Sequence, residues 1–270
     1  MKLPKSYTLN IIILNVIIFI IASILGLFIG ESTILRYLAL QPLAVIHGKY
    51  LWTIVTSIFM HASFVHLLVN MFSLYFIGTF LEKIIGRKRL LIFYVLAGIF
   101  ASIFFALLAG FFGASDLGSK VFGDAQVFGV GASGAIFGLL GLLSVLTPKN
   151  KVYLIVGPLI ALIIESVISS IFPSLSNLVG LIVTLYFFFA IFAMFSFNSK
   201  LKRLALPLEL TFWLLPIIAI VPLIVIGLFI PLPIGNMAHL GGLVAGIIYG
   251  FYLRKRYPNK TSMISRLFSK

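Results

Sequence analysis

Eight stretches of this chain, each 15 to 25 residues long, carry scarcely a charge, and they dictate the solvent in which it folds. They lie near Leu9 to Ile29, Phe64 to Ile84, Leu90 to Phe112, Ala132 to Leu146, Val152 to Phe172, Asn177 to Phe197, Leu206 to Ile230 and Met237 to Leu253. A bilayer core is crossed by about 20 apolar residues in a helix, and a composition that is 61% hydrophobic exceeds the roughly half-apolar make-up of soluble domains. The expected fold class is therefore an all-α polytopic membrane protein of about eight transmembrane helices. The fourth run is short, and Pro216 and Pro222 interrupt the seventh. The leading MKLPKSYTLN has no small-residue cleavage site before the first run, so that run reads as a retained span. One integral membrane domain over residues 1–257 and a short basic tail over 258–270 are expected.

The charges test the span count independently. With the N-terminus placed inside, seventeen of the 20 Lys and Arg fall in inside segments, and only Arg36, Lys49 and Lys120 fall outside. That is the asymmetry of the positive-inside rule. It places both termini in the cytoplasm and makes the net charge of +14 a matter of topology, with membrane lipid as partner and no nucleic acid. A prokaryotic plasma membrane fits the compact build and the lack of targeting signals. Cysteine is absent, which excludes disulfides and thiolate metal sites. The zinc template H-E-x-x-H and the glycine loops of nucleotide sites are missing too, so neither a metal nor a cofactor is expected.

Polar side chains within apolar runs are expensive and require a reason. The second run opens with HASFVHLLVN, carrying His61, His66 and Asn70, the last two on one helical face. The fourth opens within GVGASGAIFG at Ser133, and the eighth opens with MAHLGGLVAG at His239. On the charge-derived topology these residues share one layer near the outer face. Acyl transfer needs a nucleophile, a base in reach of it and donors aimed at a developing oxyanion. Ser133 supplies the hydroxyl, His239 the base, and His66 and Asn70 the donors, while Gly131 and Gly134 leave the serine backbone uncovered. Gly242, Gly246 and Gly250 recur every fourth residue and form a ridge that lets a neighbouring helix approach. If that neighbour is the serine helix, His239 meets Ser133. Taken singly, each residue has a plainer reading: a helix cap for Ser133, a hydrogen-bonding loop residue for His61, interhelical glue for Asn70. The conjunction is what points to chemistry. The esterase elbow G-x-S-x-G fails here, because position 135 is alanine.

HASFVHLLVN, GASG and AHLGGLVAG, in that order on three spans, resemble the signature of the rhomboid family of intramembrane serine proteases. The resemblance runs from about Trp52 to Phe251. It implies a catalytic Ser133–His239 dyad with no acidic third member, His66 and Asn70 lining the oxyanion hole, His61 in support, and Glu82 as the family's acidic residue at the inner end of that helix. Where many members carry a tyrosine four residues after the serine, this chain has Phe137, which keeps the ring for the imidazole to pack on. The family's Trp-Arg pair is reduced to Trp52 and Thr53. The implied activity is a serine endopeptidase acting on single-pass or multi-pass membrane-protein substrates near the outer face.

Length departs from the pattern. A rhomboid-like six-helix core needs one span between Ser133 and His239, and three fit here, so an inserted helical pair is expected; the sequence leaves open which runs form it. Glu165 lies in one of them, as a packing carboxyl or as an influence on a substrate gate. Two other functions compete: a catalytically silent relative that binds membrane clients, which predicts loss of the serine or histidine, and a transporter, which predicts an internal repeat or paired broken helices.

Overall fold

Capping and apolar content set the first long helix. In the computed structural model, which describes residues 6–196, 198–229 and 235–267, the Ser6 side chain accepts from the Leu9 N–H and starts α1 (Tyr7–Ile29). Three short helices fill the first loop: α2 (Glu31–Leu38), α3 (Pro42–Ile46) and α4 (Thr53–Thr56). Ser63 caps α5 (Phe64–Ile85) by accepting from the His66 N–H. At Gly86, with φ 85°, the chain takes a conformation that side chains resist and turns directly into α6 (Arg87–Phe112). After α7 (Asp116–Phe122) come α8 (Ser133–Leu146), β1 (Lys151–Ile155), α9 (Val156–Ile171), α10 (Ser176–Phe195), α11 (Ser199–Leu204), β2 (Pro207–Thr211), α12 (Leu215–Gly227), α13 (Asn236–Arg256) and α14 (Pro258–Leu267).

Among the described residues five helices are long and apolar enough to cross a membrane, and α8, α9 and α12 are shorter apolar helices. The eight expected runs thus all carry helix, with two boundary corrections. The run expected from Val152 opens as strand β1, and the run expected from Leu206 opens as strand β2. The two strands pair antiparallel, with Lys151 opposite Thr211 and Ile155 opposite Pro207, so the ladder satisfies backbone groups that hydropathy alone assigns to helix. Phe197, Ile230, Lys2, Lys5 and Lys270, on which parts of the expected topology rest, lie outside the described residues.

The centre of the bundle is α8, held between α6 and α13. It is buried nearly all round, with Leu139, Leu142 and Leu143 fully inaccessible. Small residues bring the three backbones together. A Cβ at Gly242 would overlap the Gly134 carbonyl, one at Gly246 would overlap the Gly138 carbonyl, and one at Gly138 would sit 2.5 Å from the Ala97 Cβ of α6. In lipid, where apolar surface gains little by leaving the solvent, such close packing supplies the association energy. The glycine ridge therefore meets the serine helix.

The β1–β2 ladder closes a loop in the path of the chain. It returns the chain to the end of α8, where Phe212 N–H donates to the Asn150 carbonyl and Trp213 N–H to that of Pro148. Residues 156–206 are thus an excursion whose two ends meet. Within it α9 packs on α10, whereas α12 packs on α8 and α13. The α9–α10 pair reaches the bundle where Phe195 lies against Phe72 and Phe76 of α5. Glu165 belongs to this pair: its carboxylate would be 3.0 Å from a Cβ at Gly180 of α10, so it faces the partner helix.

Glu82 ties α1 to α5. Its carboxylate accepts from Ser6 Oγ at 2.8 Å, Tyr7 N at 3.0 Å, Thr8 N at 3.1 Å and Thr8 Oγ1 at 2.6 Å. A negative group at a helix N-terminus satisfies free N–H groups and complements the dipole.

Gly246→Ala is expected to lower the thermal midpoint of the purified protein, because the new methyl must push α13 off α8; overpacking of this kind costs about 1–3 kcal/mol. Val244→Ala serves as the comparison in the same melting experiment, and equal midpoints for the two variants would contradict the packing account.

Candidate active site

Ser133 is the first residue of α8, and His239 is the fourth of α13. Where the glycine ridge brings the helices together, His239 Nε2 lies 2.8 Å from Ser133 Oγ. That is hydrogen-bond contact between a hydroxyl and an imidazole 106 residues apart. His239 is 9% exposed, and its other ring nitrogen, Nδ1, meets no hydrogen-bonding protein group among the described residues. Among the described residues no carboxylate orients this imidazole. Phe137, one turn along α8 from Ser133, stacks on it instead, with centroids 4.3 Å apart and planes 8° from parallel. The phenyl ring and the serine are presented by one helix at i and i+4, so a single element fixes both the hydroxyl and the face on which the base rests.

The depth of this pair follows from helix lengths. The 14 residues of α8 rise ~21 Å, short of a hydrocarbon core of about 30 Å. The Leu146 end leads into Lys149 and Lys151. With that end at the polar boundary, Ser133 lies roughly 10 Å inside the opposite one.

On the other side of the serine, Gly131 has φ 127°, a conformation reserved for glycine, and a Cβ there would come within 2.9 Å of the His66 ring and 3.7 Å of Asn70 Nδ2. The expected donors His66 and Asn70 are therefore brought up against the chain just before Ser133. Asn70 Nδ2 donates one hydrogen to the His66 carbonyl at 3.0 Å, which leaves its second N–H for another acceptor. The Gly131 N–H is committed to the Ser57 carbonyl at 2.9 Å. Gly131 thus contributes space and shape, not a hydrogen bond. Gly242 and Gly246 stand below the pair as the close approach that creates it.

His61 precedes α5 in the loop and is 7% exposed. Its ring meets the His66 ring edge-on at 5.2 Å, and neither nitrogen makes a hydrogen bond of ordinary geometry. Burial first, and the neighbouring His66 second, push its pKa down to about 4, against a smaller opposing pull from the Phe59 carbonyl. A pKa below the unfolded value of 6.5 means that neutral His61 favours the fold above that pH, and this support is lost as the pH falls toward 4. His61 thus lies edge-on against His66, its ring buried.

The segment between α1 and α5 holds the loop leading to Ser133 in place, and sequence patterns gave little sign of it. Leu40 and Gly129 exchange both backbone hydrogen bonds, at 3.0 and 2.7 Å. Leu43 N–H donates to the Ala125 carbonyl, and the Gln41 amide donates to that of Gln126. Trp52, left without the family's arginine, donates from Nε1 to the Tyr37 carbonyl and stands edge-on to Tyr50; Thr53 bonds the Tyr50 carbonyl. Aromatic packing and the Thr53 hydroxyl anchor the loop where an arginine is usual. Among the described residues no group of three His, Cys, Asp or Glu could hold a metal ion.

Removing the stacking ring should loosen His239. Phe137→Ala is expected to raise the rate of His239 carbethoxylation, followed by mass spectrometry, by about 2- to 10-fold, in line with the 0.5–1.5 kcal/mol of an aromatic pair. Phe137→Tyr should leave that rate near the native value, and an unaltered rate in the alanine variant would show that the ring does not hold the imidazole.

The comparisons agree with the motifs. The Rhomboid domain family model matches twice, over residues 48–188 and 152–256, so residues 152–188, which hold α9 and the first part of α10, are claimed from both sides. RHOMBOID-like protein 1 of Arabidopsis thaliana is 40% identical over 43% of this chain and 26% of its own length. Rhomboid protease GluP of Bacillus subtilis is 30% identical over 54% of this chain and 25% of its own, and RHOMBOID-like protein 5 of Arabidopsis thaliana is 34% identical over 47% and 38%. In each case the match spans less than two-fifths of the relative's length. The family model spans most of the chain, including both ends of the Ser133–His239 contact: the chain belongs to the rhomboid family, and it is an integral membrane protein.

Proposed function

We propose that this protein is an intramembrane serine endopeptidase that cleaves transmembrane segments of other membrane proteins. The observation that carries the proposal is the 2.8 Å contact between Ser133 Oγ and His239 Nε2. Neutral His239, protonated on Nδ1, accepts the Ser133 proton at Nε2 as Oγ forms a bond to the scissile carbonyl carbon. The carbonyl π pair moves to oxygen. The free N–H groups at the start of α8, the second Asn70 N–H and His66 hold that oxyanion. His239 then gives its proton to the amide nitrogen, the C–N bond breaks, and an acyl ester remains on Ser133. Water, losing its proton to His239, attacks the ester, and the proton returns to Oγ as the new carboxyl group leaves.

The shallow burial of the dyad beneath one face suits a substrate that must unwind. A helix hides its carbonyls in i to i+4 hydrogen bonds, and only where those are broken can a carbonyl reach Ser133. Segments with glycine or proline open at least cost. The arrangement of charge supports a topology with both termini in the cytoplasm and the dyad toward the outer face of a prokaryotic plasma membrane, with residues 1–257 as the protease domain and 258–270 as its tail.

The test is cleavage of a transmembrane model substrate by the purified full-length protein in liposomes. Ser133→Ala and His239→Ala are expected to abolish it while melting like the native protein. Asn70→Ala should cut kcat by about 10²–10³, the cost of one oxyanion donor. Native-level cleavage by either dyad variant would overturn the assignment, and a native protein that binds the substrate without cutting it would identify a client-binding relative instead.

A further inference from the structure

The end of the bundle opposite the dyad carries a second constellation. Tyr257, which ends α13, lies beneath three cations from three helices: Arg89 Cζ at 5.6 Å from the ring centroid, Arg256 Cζ at 5.8 Å and Lys260 Nζ at 6.0 Å. Like charges gathered on one ring repel, and cation–π attraction offsets only part of that. At this end Glu82 pairs with Arg87 and Glu209 with Lys151. Among the described residues no carboxylate pairs with Arg89, Arg256 or Lys260.

An apolar track leads away from the cluster. One turn along α6 from Arg89, Phe93 stacks on Tyr249 of α13 at 4.7 Å, and Tyr249 stacks on Tyr252 at 6.0 Å. The seam between α6 and α13 is thus closed by rings and flanked by Ile92, Leu96 and Tyr252, each more than half exposed. Cations that converge at the end of a helix seam, with exposed apolar surface running from them into the bilayer, match a ligand with a negative head and a hydrocarbon tail. A soluble phosphate would use the cations and leave the track unused.

We propose that this seam binds an anionic phospholipid, its phosphate held among Arg89, Arg256 and Lys260 and an acyl chain lying along the α6–α13 track. The ligand chemistry is a phosphodiester anion, and the apolar track assigns it to lipid. Because α6 and α13 are the two helices that enclose α8, a lipid bridging them stabilises the whole bundle by mass action.

The full-length protein in an uncharged detergent is melted with increasing phosphatidylglycerol, phosphatidylcholine or soluble glycerol phosphate, and retained lipid is counted by native mass spectrometry. Phosphatidylglycerol should raise the midpoint and be retained, and the other two should not. The triple variant Arg89→Gln, Arg256→Gln, Lys260→Gln should bind it about a hundredfold more weakly, at about a factor of five per basic group lost. A control that removes the same charge at the same end, Lys83→Gln, Lys88→Gln, Lys255→Gln, should bind it as the native protein does. If the triple variant fails to fold, Lys260→Gln alone is read by retained lipid, with about a fivefold loss expected. Equal losses in variant and control would reduce the effect to bulk charge and overturn the site. An equal shift with glycerol phosphate would overturn the assignment to lipid.

Discussion

Everything at the dyad depends on how closely α13 approaches α8. Two glycines of α13, Gly242 and Gly246, lie directly on the carbonyls of Gly134 and Gly138, at a distance that no side chain would permit. Ser133 and His239 come from distant parts of the chain, and each occupies the first turn of its helix. The spacing of the two axes therefore sets the Oγ–Nε2 distance directly. In the proposed reaction such a contact has little tolerance, since misplacement by 1 Å can cost a hundredfold in rate. The packing that stabilises the bundle and the geometry that positions the base are one feature.

The remaining constraint acts through loops. The Ser133 loop is stitched to the first outer loop at Leu40–Gly129 and Leu43–Ala125, and to the turn before α5 through Gly131 and Ser57. The first of these loops is in turn pinned by the Trp52–Tyr37 hydrogen bond and the Thr56 hydroxyl on the Leu38 carbonyl. The positive φ at Gly131 follows from the same stitching, because the chain must clear the His66 ring while its N–H reaches Ser57.

How much of this could be read from the sequence depends on the range of the interaction. The cluster of Ser133, His66, Asn70 and His239 was legible because polar side chains in an apolar run are rare enough to count. The glycine ridge of α13 was legible as a ridge, and its partner followed once a serine helix with its own glycines was in view. The strands β1 and β2 were not legible. Each is a pentapeptide with a single charge that runs on toward apolar helix, and the pairing that makes it a strand lies over 50 residues away. That α12 and not α9 packs on α8 was hidden for the same reason, because such a contact leaves no local pattern.

An imidazole without a carboxylate partner is a coherent design in this setting. A buried carboxylate inside the bilayer would be costly to hold ionised, and would need its own donors to stay there. Phe137 restrains the His239 ring by stacking and asks nothing of the kind, since a hydrocarbon face is at ease among the buried leucines of α8. What a stacked ring cannot do is choose the tautomer or steady the imidazolium once it forms. In the proposed reaction those tasks fall to the immediate surroundings of the dyad, where the first turn of α8 offers its N–H groups to the oxyanion that forms as His239 becomes positive. Proton transfer and oxyanion formation then create opposite charges side by side in a medium of low dielectric, and each stabilises the other.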